Sequence, residues 1–161
     1  MTIQAEHFQR ALDYLLEETF NSVYGIYLDK GTSLFETLAG ITAEEASIPV
    51  GGQCATLAAQ VKHIAFYLDV IVDAFHNPNS PPADWEAIWR NTGAVSPDEW
   101  EAIKAALRES LNQVKTLLKN KNDWTNDREI GRAMGVVVHT AYHLGEIRQA
   151  LCILKDDRAV S

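Results

Sequence analysis

Two histidines near the C-terminal end of the chain have the spacing of metal ligands on a helix. His139 and His143 are four residues apart in the stretch HTAYHLGEIRQ, so on a helix their rings lie about one turn apart on one face. Glu146 follows three residues later and falls on the same stripe. Two ligands on one helix are rarely enough for an ion, and the best additional ligand is His63, on another predicted helix. The hypothesis is a three-histidine metal site with at least one open coordination position.

The ion that such a site would bind follows from its ligands. Neutral imidazole favours Zn, Ni, Cu or Fe over Ca or Mg, and three protein ligands leave one position for a water or a substrate atom. Thr140 follows His139, so the HExxH motif of metalloproteases is absent. A di-iron bundle would need paired Glu and Glu-x-x-His sets from several helices, so a di-iron site is not predicted.

An ordinary interpretation of the histidines stays open. A buried histidine is usually a core residue hydrogen-bonded to a carbonyl, and an HxxxH pair arises by chance in many helices. Against this, burying three imidazoles without partners would cost about 1–3 kcal/mol each. Those costs disappear together if the rings share one cation, and the combination therefore favours metal binding.

Three more side chains are candidates for catalysis beside the predicted ligands. Glu146 is open to several roles: an acceptor that orients a histidine ring, a fourth ligand, a general base, or the partner of a Lys or Arg. Tyr67, one turn after His63, and Tyr142 would border the cavity and donate to a bound anion. Such tyrosines more often pack with the hydroxyl satisfied.

Composition and charge exclude several classes of function. The 161 residues include 14 Lys and Arg against 22 Asp and Glu, a formal net charge of −8, which argues against nucleic-acid binding. The N-terminal residues lack the apolar core of a signal peptide, and no window is apolar enough to predict a membrane span. Cys54 and Cys152 form neither a CxxC motif nor a disulfide framework. These features favour a cytoplasmic protein, in which a nucleophilic thiol would have to come from a small molecule.

Hydrophobic periodicity predicts an all-α chain, one domain over residues 1–161, with four long helices. These helices are expected at about 5–23, 55–75, 97–118 and 130–154. Shorter helical segments are expected at 34–38, 42–45 and 84–90, where 42–45 fits a capping box. Ser96, Pro97 and Glu99 have the types expected of the N-cap, N1 and N3 positions of a helix.

The lengths of the connections predict how the helices pack in a four-helix bundle. Long links join the first helix to the second and the second to the third, whereas a short loop precedes the fourth. The third and fourth helices are therefore expected to be antiparallel neighbours. Gly135 and Gly145 are expected to allow close helix packing. The segment 77–89, with Trp85 and Trp89 on one face, is expected to cover the mouth of the cavity.

These residues resemble the DinB-like metal-binding four-helix bundles, which carry one histidine on the second long helix and His-x-x-x-His-x-Gly-Gln on the fourth. The matching stretches are VKHIA around His63, HTAYHLG from His139, and LAGITAEEA before the second helix. The resemblance covers nearly the whole chain and implies an up-down-down-up bundle, a homodimer, and Zn, Ni or a similar ion on His63, His139 and His143. The chain departs from the family at Glu146, where Gln is common.

The function predicted from this resemblance is that of a metal-dependent enzyme acting on a small molecule. Relatives include transferases and isomerases that use bacillithiol, mycothiol or glutathione, so a thiol-dependent S-transferase or a hydrolase is expected. The alternative is a non-catalytic bundle in which the metal only holds helices together or reports a ligand. Three histidines with water in the fourth position would favour the enzyme, and full protein ligation would favour the structural role.

Overall fold

The regular structure of the chain is entirely helical. The computed structural model describes residues 3–52, 54–77, 79–121 and 123–159, and this part of the chain contains no strand. Its elements in order are α1 (Ala5–Phe20), α2 (Leu34–Ala39), α3 (Ala43–Ala46), a 3₁₀ turn (Val50–Gly52), α4 (Leu57–His76), α5 (Glu86–Asn91), α6 (Pro97–Lys119) and α7 (Asp127–Ala159). The all-α prediction is confirmed, and α1, α4, α6 and α7 are the four long helices.

Side-chain caps set where several of these helices begin. The expected capping box is present at α6, where the Ser96 hydroxyl accepts from the Glu99 amide at 3.3 Å and the Glu99 carboxylate accepts from the Ser96 amide at 2.7 Å. A second capping box begins α3 at Thr42, as expected. At α4 the Thr56 hydroxyl accepts from the Ala59 amide at 3.1 Å, so this helix begins at Leu57.

The last helix is longer than expected at both ends. The side-chain carbonyl of Asn126 accepts from the Arg128 amide at 2.9 Å, a cap that starts α7 at Asp127. Neither Gly nor Pro follows Leu154, so the sequence contains no signal that stops the helix there. The helix therefore continues to Ala159.

The long helices pack around a shared apolar core. In the described part of the chain, α4 packs against both α6 and α7, and α7 also packs against α1. The wide apolar arc of α4 is the main packing surface for both α6 and α7 among the described residues, and the expected antiparallel pairing of α6 with α7 stays a prediction. The largest fully buried side chains include Phe20, Leu57, Ile64, Leu68, Trp100, Leu107, Leu144 and Ile147.

A buried carboxylate holds the segment that follows α1. Glu18 is completely buried, and its two oxygens accept hydrogen bonds of 2.7–3.0 Å from four backbone amides of residues 24–28. Burial alone would raise the pKa of Glu18, but these four donors lower it to about 2. These hydrogen bonds hold residues 24–28 against the last turn of α1. The helix ends at Phe20 rather than at residue 23.

None of the helices in the described residues combines the length and the apolar character needed to cross a bilayer.

Candidate metal centre

The three predicted histidine ligands lie together in the interior. His63 comes from α4, while His139 and His143 come from α7, and one ring nitrogen from each lies within 4.8 Å of the others. The ring centroids are 5.1 Å apart for His63 and His139, 4.8 Å for His63 and His143, and 4.6 Å for His139 and His143. His63 and His143 are buried, and His139 is partly buried. The predicted cluster of His63, His139 and His143 is therefore present.

The hydrogen bonding of the imidazoles fits a shared cation. Nδ1 of His63 and Nε2 of His139 are buried and have no hydrogen-bond partner among the described residues. A buried polar atom without a partner costs about 1–3 kcal/mol, and coordination would remove that cost. Two nitrogens on one tetrahedral zinc are about 3.4 Å apart, so the three ring nitrogens, which lie within 4.8 Å of one another, would have to approach one another to share an ion.

The protonation state of the cluster also suits metal binding. Burial lowers the pKa of each of the three imidazoles, and it is the largest cause in each case. For His139, burial and the nearby His143 and His63 rings together lower the pKa to about 4. The rings are therefore neutral near pH 7, the form in which histidine binds a metal.

Glu146 holds the ring of His143. Nδ1 of His143 donates to Oε2 of Glu146 at 2.8 Å and also lies 3.3 Å from Oε1 of Gln60. Nε2 of His143 is then the ring nitrogen available to an ion, the arrangement of a carboxylate–histidine–metal triad. Of the roles that the sequence left open for Glu146, the geometry favours the orienting acceptor. The same carboxylate raises the pKa of Tyr142, whose ring lies edge-on to His143 with the centroids 5.1 Å apart.

Tyr67 forms the wall behind His139. Its ring stacks on that of His139 with the centroids 3.8 Å apart and an interplanar angle of 18°. A Cβ at Gly135 would lie 2.7 Å from the Tyr67 hydroxyl oxygen, so the absence of a side chain there admits the tyrosine. The expected close approach is confirmed at Gly135. At Gly145 it is wrong, because this residue lies on the exposed side of α7, and no atom of the described residues lies within 4 Å of a Cβ placed there.

The segment before and within α5 covers the face of His63. The Trp89 ring stacks on His63 with the centroids 4.6 Å apart and an angle of 28°. Trp85 lies edge-on to the same imidazole at 6.0 Å and 62°. The expectation that residues 77–89 lie over the site is confirmed for these two indoles, which remain 40% and 37% exposed.

The remaining histidines and the two cysteines lie outside the cluster. His7 is exposed beside Glu6, and His76 is exposed in the last turn of α4. Cys54 and Cys152 are free and exposed.

The sequence interpretation missed Gln60. Gln60 lies three residues before His63 on α4, so the helical spacing of three that relates His143 to Glu146 was the signal that could have found it.

The description of the site rests on the residues of this chain alone. Comparisons of the chain with protein-family models, with curated proteins and with solved structures give no match.

Proposed function

We propose that the chain binds a divalent transition metal through His63, His139 and His143 and acts as a metal-dependent enzyme on a small molecule. The observation that carries this proposal is the convergence of three neutral imidazoles from two helices, two of them with a buried nitrogen that has no partner among the described residues. Zn and Ni suit such nitrogen ligands, as does Fe. The bound ion would act as a Lewis acid and lower the pKa of a thiol or a water. Three protein ligands leave it a position for that molecule.

The side chains around the cluster have distinct roles in this proposal. Glu146 fixes the ring orientation of His143, and it is a candidate proton acceptor because its side chain is 39% exposed. Tyr67 and Tyr142 are the other candidates for proton transfer. A nucleophilic thiol would come from a small molecule, since both cysteines of the chain are exposed and lie outside the cluster. S-transfer to or from a low-molecular-weight thiol, or hydrolysis, is therefore the proposed reaction class.

Three further features belong to this proposal through the resemblance described above: membership of the DinB-like family, the up-down-down-up order of the long helices, and a homodimer. A cytoplasmic location belongs to it through the N-terminal composition and the cysteine spacing of the sequence. Each is a prediction with its own simple test. The oligomeric state, for example, follows from light scattering on the purified protein.

Metal analysis of untagged protein tests the binding site. We expect one transition-metal ion per chain, and a melting temperature that rises when Zn²⁺ is added to metal-free protein, because an ion that binds only the folded state stabilises it. His139→Ala and His63→Ala should abolish both effects. His76→Ala is the matched control, since this exposed histidine lies on the same helix as His63. Wild-type protein without stoichiometric metal, and without a response to Zn²⁺ or Ni²⁺, would identify the cluster as core histidines.

A second experiment separates an enzyme from a metal-stabilised bundle. Protein loaded with Co²⁺ should show the absorption spectrum of a site with an exchangeable ligand, and this spectrum should change on addition of a thiol. A screen of thiols with electrophilic small molecules then measures S-transfer. A spectrum that no added ligand changes would favour the non-catalytic role.

A further inference from the structure

A cleft opens between α4, the segment that leads to α5 and Arg132 of α7. It has a volume of about 460 Å³, within the range of small-molecule sites. Most of its lining is apolar and comes from α4 and the segment that leads to α5. The main apolar side chains are Phe66, Val70, Ala74, Pro81, Pro82 and Trp85.

Trp85 belongs to both the cleft and the surroundings of the cluster. Its indole lines the cleft and also lies edge-on to His63, with the centroids 6.0 Å apart. Phe66 meets the same indole edge-to-face at 5.5 Å and 72°, so that the two aromatic rings form one corner of the cleft. Trp85 is therefore the residue that connects the cleft with the surroundings of His63.

The exposure of Trp85 is not explained by core packing. The indole is 40% exposed, and the adjoining helix α5 has no buried residue. Exposed indole surface beside an open cleft is unfavourable in water, and a flat apolar group placed against it would remove that surface from solvent.

Two of the polar groups in the cleft are already engaged within the chain. The Arg132 guanidinium donates to the Ala74 carbonyl at 2.8 Å. The Asp73 carboxylate accepts from the Asn77 amide at 2.7 Å. The cleft is also lined by Asp69, so it carries two carboxylates and one guanidinium beside its apolar wall.

We propose that this cleft binds a flat, uncharged apolar group of the substrate, and that Trp85 is the residue that selects it. This inference rests on the proposed metal-dependent function, because the reacting end of the substrate is placed at the histidine cluster. The substrate class is then a small molecule, such as a thiol or an electrophile, that carries an aromatic or similar apolar substituent near its reacting atom.

The test compares two thiols on protein loaded with Co²⁺. Binding of ethanethiol and of 2-phenylethanethiol is followed through the change in the cobalt absorption spectrum, which requires no turnover. Wild-type protein should bind the phenyl compound at least about tenfold more tightly, because the ring removes apolar surface from water. Trp85→Ala should lose most of this preference, and Trp85→Phe should keep a substantial part of it.

Trp89→Ala is the matched control. Trp89 lies on the same segment, is 37% exposed and contacts His63, but it does not line the cleft. The proposal requires that Trp89→Ala keep the phenyl preference even if its affinity for Co²⁺ changes. Unaltered melting temperatures of the Co²⁺-loaded Trp85 variants would show that they are folded.

The outcomes distinguish this inference from the function on which it rests. Protein that binds Co²⁺ and both thiols without a phenyl preference overturns the cleft proposal and leaves the metal site intact. A preference that survives Trp85→Ala, or that Trp89→Ala removes equally, also overturns it. Wild-type protein that binds no Co²⁺ overturns the metal-dependent function and the inference with it.

Discussion

Oε2 of Glu146 accepts a hydrogen bond of 2.8 Å from Nδ1 of His143. The two residues are three positions apart on α7, so one helical turn contains both an imidazole of the cluster and the group that orients it. With the proton on Nδ1, the lone pair is on Nε2. The carboxylate therefore selects the tautomer in which His143 is able to bind a metal.

Removing this carboxylate should weaken metal binding without removing a ligand. We expect Glu146→Ala to lower the affinity for Zn²⁺ by about 10–100-fold, the usual effect of losing such a partner. Glu146→Gln should lose less, because an amide oxygen still accepts from Nδ1. Isothermal titration calorimetry on metal-free protein measures both. Arg148→Ala, an exposed change on the same helix, serves as the control, and wild-type affinity in Glu146→Ala would refute the orienting role.

Gly135 and Tyr67 should behave as a coupled pair. A Cβ at residue 135 would lie 2.7 Å from the Tyr67 hydroxyl oxygen, so Gly135→Ala should destabilise the protein by about 1–3 kcal/mol through overpacking. In a Tyr67→Phe background the obstructing oxygen is absent. There the same change should stabilise α7 by about 0.5–1 kcal/mol, because Ala favours a helix more than Gly.

A double-mutant cycle measured by urea unfolding checks this pair. Equal effects of Gly135→Ala in the two backgrounds would show that the hydroxyl is not the obstacle.

Glu18 should contribute more to stability than its neighbour Glu17. Glu18→Gln replaces a carboxylate that accepts from four backbone amides, and we expect a loss of about 3 kcal/mol from donors left unsatisfied. Glu17→Gln is the control, because its partly exposed ion pair with Lys115 should contribute at most about 1 kcal/mol. Chemical denaturation at pH 7 compares them, and similar losses in both variants would contradict the proposed role.

The pKa of Glu18 predicts how stability depends on pH. The folded-state pKa of about 2 lies below the ordinary value of 4.5, so at low pH the unfolded chain takes up a proton that the folded chain does not. The stabilisation is complete above pH 4.5 and is lost as the pH falls from there towards 2. Denaturation midpoints measured from pH 6 to pH 3 should fall more steeply for wild type than for Glu18→Gln. Parallel curves would show that the carboxylate has an ordinary pKa.

Local features of this protein were predictable from its sequence because they depend on neighbours along the chain. The capping boxes at Thr42 and Ser96, and the shared face of His139 and His143, follow from spacings of three and four residues. The convergence of His63 with that pair was predictable because an imidazole on a strongly apolar helix needs a buried partner. The packing of α4 against α7 places the three rings together.

Features that depend on distant parts of the chain were missed or mistaken. The close packing of α6 against α4 depends on the wide apolar surface of α4, which a loop length does not reveal. Glu18 looks like an ordinary solvent-facing acid on an amphipathic helix, and its partners are backbone amides that carry no sequence signal. Gly145 was expected at a helix contact, yet it lies on the exposed side of α7.

The histidines of the cluster are synthesised at well-separated times during translation. His63 is synthesised roughly 75 residues before His139, and α5, α6 and their connections lie between them. A nascent chain therefore has only one of the three imidazoles until its last helix emerges. Loading with a metal ion would fasten an early helix to the last one, so that metal content reports completed folding rather than merely the presence of the polypeptide.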